Sequence, residues 1–185
     1  PLKNLNVWGD GGFITTNSKQ HYKNLRLLRN HGLINRDKCK IFAGNSRLDT
    51  IQAIVASHLI KKIDYITNKR ISNALFFDKK LANISEIDIP PRYQNATQVF
   101  HIYSIKVKRR NKLIKYLNQN GIDAKIHYPI PMHLQPAAKK YDYKMGDFPV
   151  AEKICKKVIS LPVHEHVSKK QQQYIVNKIK RFYTK

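Results

Sequence analysis

Apolar residues recur at helical spacing in five stretches of the chain, and strand-like runs separate them. The β-favouring run 13–17 (FITTN) predicts a short strand after a glycine-rich turn at Gly9-Asp10-Gly11-Gly12. Asn17 or Ser18 then caps a helix with Tyr22, Leu25 and Leu28 on one face, ended by Gly32. The longest helical signal opens at the S-x-x-D pattern of Ser46 and Asp49, with Leu48, Ile51, Val55, Leu59, Ile63 and Ile66 on one side, and runs towards Leu75 or beyond. The segment 87–91 (IDIPP) cannot continue a helix, and it marks the crossing into a second unit.

That second unit has its own rhythm. Residues 99–107 alternate along one strand, Leu113, Ile114 and Leu117 mark a helix stopped by Gly121, and 122–128 reads as another strand. A helix started by Pro149, with Ile154 and Val158 inward, leads to a short strand at 160–163. A last helix runs from Ser168 with Tyr174, Ile175, Ile179 and Phe182. The order is β-α-β-α-β-α, an α/β small domain from about residue 86 to 185, behind a first region of residues 1–85 that includes the long linking helix.

Composition narrows the classes. The 185 residues are 42% hydrophobic, with 7 Gly and 8 Pro, enough for a packed core and unlike a disordered chain. Cys39 and Cys155 show neither disulfide nor zinc-ribbon spacing and suit a reducing cytoplasm. There is no apolar run of the roughly 18 residues that a membrane span requires. The formal net charge of +23 is the footprint of a nucleic-acid binder. Its lysines, however, are scattered in ones and twos without interleaved aromatics, and Ile and Asn are as overused as Lys. Compositional drift accounts for much of the charge, and nucleic acid is not the expected partner.

Candidate chemistry starts at Lys3, just ahead of the glycine turn. A lysine on a rigid element forms a Schiff base with a carbonyl carbon if its ammonium is deprotonated by burial or a cationic neighbour; with Lys the commonest residue, chemistry alone does not single out Lys3. His127, Tyr128 and His133 sit in a proline-rich run, HYPIPMH, and read equally as loop and core residues. His164, Glu165 and His166 suggest a metal only superficially, because His-x-His alternates across a strand; no metal is expected.

Six blocks, in order, carry a resemblance that spans the chain: PLKNLNVWGDGGFITTN, LRLLRNHGLINRD, GNSRLDTIQA, GIDAKIHYPIPMHLQPA, GDFPVAEKICKKVISLPVH and QQQYIVNKIKRFY. They resemble the C-terminal half of the DegT/DnrJ/EryC1/StrS family of pyridoxal 5'-phosphate (PLP) aminotransferases acting on nucleotide-linked keto sugars. The resemblance implies an α/β fold, the C-terminal part of a fold-type I PLP-dependent transferase: the distal part of the PLP-binding large domain over 1–85 and the small domain over 86–185. It implies that Lys3 carries the cofactor and moves the proton, that glutamate is the amino donor, and that the product serves cell-surface polysaccharide or antibiotic sugar synthesis. Asn45 matches the asparagine that reaches the cofactor phosphate of the other subunit, which implies a homodimer with shared active sites. Gly44 stands where many members have an aromatic residue. Arg47 pairs with phosphate or with Asp49. His127, Tyr128 and His133 match the segment placed near the sugar substrate. A related dehydratase is disfavoured by Lys3, since such members carry histidine there. A catalytically silent remnant and a basic nucleic-acid-binding protein are the remaining alternatives. As the family's other cofactor contacts precede the lysine, the 185-residue chain alone is expected to be incomplete and inactive.

Overall fold

The computed structural model describes residues 3–184. The chain divides into two compact units, the first ending at Ile63 and the second starting at Asp64.

The first unit has two helices, α1 (Lys19–Leu28) and α2 (Thr50–Leu59). Ser18 caps α1, its hydroxyl accepting from the His21 amide. Beyond α1 the chain reverses through His31 and Gly32, with φ of 54° and 68°. A Cβ on Gly32 would lie 1.7 Å from the Ile41 carbonyl oxygen, so only glycine fits there. The expected strand at 13–17 is absent: these residues are exposed and make no ladder bonds among the described residues, and β propensity without a pairing strand does not make a strand. Helix α2 starts at Thr50 behind Asp49, not at Ser46. Ser46 instead donates its amide to the Arg29 carbonyl, which ties it to the end of α1. The helical run is also interrupted by a 3-10 turn, Ile60–Lys62, before α3 (Ile63–Leu81).

The second unit holds the core. Three antiparallel strands, β1 (Ile87–Asp88), β2 (Tyr103–Val107) and β3 (Val158–Leu161), lie in the order β1-β2-β3. Tyr103 faces Leu161 across the ladder and Ile105 faces Ile159. Strand β2 alternates as its period of two requires, with Tyr103, Ile105 and Val107 buried. Against them pack Ala74, Phe77 and Leu81 of α3, Leu113 and Leu117 of α4 (Arg110–Gln119), and Ile175, Val176 and Ile179 of α6 (Lys169–Tyr183). Helix α3 therefore packs with the second unit, whose compact body starts at Asp64. Gly121, at φ 74°, follows the end of α4, and a capping box of Ser168 and Gln171 starts α6.

Three further expectations change. Residues 99–102 are not strand. Their neighbourhood is pinned instead by Arg92, which forks onto Asp78 at 2.8 and 2.9 Å and stacks over Phe100, while the Tyr103 hydroxyl donates to the same carboxylate. The strand expected at 122–128 shrinks to one bridge, Lys125 to Ser160, because the Ala124 amide bonds locally to the Ile122 carbonyl and the Asn118 side chain. Helix α5 (Pro149–Lys157) buries Glu152 rather than Ile154, and Val158 belongs to β3. The observed order from residue 86 is β1-β2-α4-α5-β3-α6, so the strict alternation is not kept.

Candidate active site

Lys3 and Asn45 lie in the first unit; His127, Tyr128 and His133 lie in the second. Lys3 is exposed in a non-helical stretch before the glycine turn. That turn is fixed by a reciprocal pair: the Trp8 amide donates to Gln52 Oε1 at 2.7 Å, and Gln52 Nε2 donates to the Trp8 carbonyl at 3.1 Å. A side chain on α2 thus holds the backbone five residues from Lys3, using both ends of one amide.

Asn45 is bridged to Asn30 at the close of the excursion that follows α1. Its Oδ1 accepts from the Arg47 amide at 3.2 Å and from Arg47 Nε at 3.1 Å. The oxygen is therefore occupied, and the Nδ2 protons remain for an external acceptor. Arg47 takes Asn45, not Asp49, as its partner. Neither residue starts a helix.

The two histidines of the HYPIPMH segment stand in different settings. His127 Nδ1 lies 3.0 Å from the Ser160 hydroxyl on β3, which lies 2.9 Å from the Ser104 hydroxyl on β2. With Nδ1 tied to a buried hydroxyl, Nε2 is the nitrogen left to contact a ligand. Tyr128 is 70% exposed beside it, its ring edge-on to the imidazole. His133, by contrast, has a side chain only 7% exposed, against the Phe148 ring, with Nε2 3.0 Å from Glu152 Oε1. Glu152 also accepts from the amides of Gly146 at 2.8 Å and Phe148 at 3.3 Å. Burial pushes its carboxyl upward, but the Gly146 amide, His133 and the Phe148 amide outweigh that and hold it below the usual glutamate range. It is an ionised carboxylate that accepts from His133 and fastens the 144–148 loop to α5.

Sequence reasoning missed Glu152, Ser104 and Ser160. The available signal for Glu152 was a single acid in the first turn of a helix otherwise rich in lysine. The serines gave none, since their meeting depends on strand register. Glu165, in the discounted histidine cluster, forms a buried ion pair with Arg70 at 2.9 Å and so belongs to the packing of α3. Among the described residues no helix is long and apolar enough to cross a membrane.

The DegT/DnrJ/EryC1/StrS aminotransferase family model matches residues 1–180. The "Pleiotropic regulatory protein" of Geobacillus stearothermophilus is 36% identical over 185 residues, covering 99% of this chain and 50% of the relative. The dTDP-3-amino-3,4,6-trideoxy-alpha-D-glucose transaminase of Streptomyces venezuelae is 31% identical, covering 98% of this chain and 48% of the relative. Among solved structures, S. venezuelae DesV in complex with a ketimine intermediate superposes with a TM-score of 0.95 at 30% identity, covering 100% of this chain and 50% of that one. The chain spans about half the length of the relatives and structures it matches. Its fold is that of part of a fold-type I sugar aminotransferase. With a match that runs through nearly every described residue, the chain belongs to the DegT/DnrJ/EryC1/StrS aminotransferase family.

Proposed function

We propose that the complete protein is a PLP-dependent aminotransferase that moves an amino group from glutamate to a nucleotide-linked keto sugar. The observation that carries this reading is the family match over residues 1–180, with Lys3 standing in the glycine-turn block. The S. venezuelae relative, a transaminase of a dTDP-linked amino sugar, supports the substrate class. The division into a distal large-domain segment over 1–85 and a small domain over 86–185, with α3 linking them, belongs to the same reading.

The donor set fits the cofactor. Lys3 presents an exposed primary amine, the group needed to bind an aldehyde carbon covalently. The Asn45 amide, its oxygen held by Arg47, presents two protons suited to a phosphate oxygen. PLP held by these residues would supply an electron sink for amino-group transfer. Lys3 Nζ would hold the cofactor and act as the base that moves the proton in amino-group transfer. His127 Nε2 and the Tyr128 hydroxyl are the donors offered to the sugar. His133, paired with Glu152, positions the 129–148 segment that in this reading lies near the sugar substrate. In this reading the enzyme is a homodimer in which Asn45 serves the cofactor phosphate of the opposite subunit.

The test uses the complete native protein loaded with PLP. Borohydride reduction followed by peptide mapping should place the label on Lys3, and amino transfer from glutamate to a keto-sugar nucleotide should be lost in Lys3→Ala. Label on another lysine, or undiminished transfer in Lys3→Ala, would overturn the assignment.

A further inference from the structure

Two hydroxyls sit where strand packing alone would call for apolar side chains. Strand β3 is buried at all four positions, and Ser160, 4% exposed, is its one polar residue. The ladder sets Ser160 directly opposite Ser104 of β2, so their side chains share one face of the sheet, the face away from Tyr103 and Ile105. A buried hydroxyl costs free energy unless its hydrogen bonds are made. On its other side β3 is bridged by Lys125, whose amide donates to the Ser160 carbonyl at 3.1 Å while the Ser160 amide donates to the Lys125 carbonyl at 2.8 Å. Two residues further on, His127 sets Nδ1 3.0 Å from Ser160 Oγ. Ser104 Oγ, Ser160 Oγ and His127 Nδ1 thus form one line, with steps of 2.9 and 3.0 Å.

Counting protons gives this line a direction. Ser160 has one hydroxyl proton and two neighbours, so it donates to one and accepts from the other. If His127 Nδ1–H donated to Ser160, Ser160 would donate to Ser104, and the Ser104 proton would be left without an acceptor among the described residues. In the opposite order Ser104 donates to Ser160 and Ser160 donates to a bare Nδ1, so both hydroxyl protons are used. A neutral imidazole carries one proton, which then sits on Nε2. That nitrogen has no partner among the described residues, whereas in His133 the same atom is taken by Glu152.

We propose that Ser160 is a positioning residue that holds His127 in the Nε2–H tautomer, so that His127 presents a fixed donor to an oxygen of the substrate. A hydroxyl or carbonyl oxygen accepts from such a donor, and an ammonium, which has no lone pair, does not. The tautomer follows from the strand register and the line of hydroxyls. That the acceptor is an oxygen of the keto sugar rests on the proposed function, which sets His127 beside that substrate. A serine with only a packing role would pair with Ser104 and leave the imidazole free to carry its proton on either nitrogen.

Neutron diffraction from deuterium-exchanged crystals of the complete native protein, kept at about pH 8 where a free imidazole is neutral, reads the proton directly. Deuterium should sit on His127 Nε2 and not on Nδ1, with the Ser160 deuterium directed at Nδ1. Deuterium on Nδ1, alone or together with Nε2, would overturn the proposal, and this measurement needs no variant to fold. Kinetics with glutamate and a dTDP-linked keto sugar give the second readout. Ser160→Ala should raise KM for the keto sugar about three- to tenfold, the worth of one hydrogen bond. In the same variant kcat and the half-reaction with glutamate should change by less than about twofold, the pattern of lost uniform binding. Ser160→Thr, which keeps the hydroxyl on a β-favouring side chain, should bring KM back to within about twofold of wild type. An unchanged KM in Ser160→Ala, or a loss shared equally by both half-reactions, would also overturn the role of Ser160. Deuterium on Nε2 in a protein that transfers no amino group refutes the proposed function alone, and deuterium on Nδ1 in an active transaminase refutes this inference alone.

Discussion

The two units follow the same local rules and reach opposite results. Among the described residues, all 19 buried apolar side chains belong to the second unit, from Ile66 onward, around three strands and the helices that cover them. In the first unit no described apolar side chain is buried, and Trp8, Phe13, Ile14, Phe42, Ile51 and Ile54 are each more than half exposed. Caps, hairpin bridges and the Trp8–Gln52 pair give the first unit its local form. An amphipathic helix alone therefore does not make a core; it needs a second apolar surface. Apolar exposure on this scale marks surfaces that proteins cover. Lys3 and Asn45 sit in the coreless unit, whereas His127 and His133 are set in the packed one.

Four experiments sharpen or break this contrast. The largest effect concerns the site in the coreless unit. If Asn45 serves the opposite subunit, Lys3→Ala and Asn45→Ala homodimers should each be strongly impaired, Lys3→Ala by on the order of 10³-fold or more for loss of the proton-transferring amine. Confirmed heterodimers of the two should recover about half the wild-type rate, since one of their two composite sites carries neither lesion. Absence of recovery would show that each subunit builds its own site.

Next in size is core truncation in the second unit. Phe77 is fully buried, and Phe77→Ala should cost about 3–5 kcal/mol in denaturant unfolding. A cost below about 1 kcal/mol would mean the core is not the cooperative body described.

A smaller, pH-dependent effect is expected at Glu152. Its folded carboxyl lies below the usual glutamate range, so its contribution to stability is complete above the unfolded value of about 4.3 and is lost as pH falls through the lower folded value. Between about pH 5 and pH 3, wild type should lose stability more steeply than Glu152→Gln, as followed by circular dichroism. Parallel curves would remove Glu152 as the anchor of the 144–148 loop.

The smallest effect should come from the first unit. Ile54→Ala, at a side chain 63% exposed, should change the stability of the 185-residue chain by no more than about 0.5 kcal/mol. A loss comparable with that of Phe77→Ala would reveal a core there and erase the contrast.

The sequence alone located α1, α4 and α6, because spacing at three and four, a serine cap and a following glycine are local signals that later contacts reinforced. It identified the family through six ordered blocks and with it named Lys3, Asn45, His127, Tyr128 and His133. What it got wrong depended on partners distant in the chain. Residues 13–17 found no strand to pair with, and residues 122–128 kept one bridge, since a ladder requires two edges in register and propensity describes only one. That α3 packs with the second unit, through Ala74, Phe77 and Leu81 against β2 and β3, is a choice periodicity does not reveal. Glu152 was legible only as a lone acid; the tertiary structure made it a buried carboxylate with three donors and so separated the role of His133 from that of His127. Local order is written in short-range spacing; which side chains meet depends on how the chain closes on itself, through burial and register that single residues do not carry.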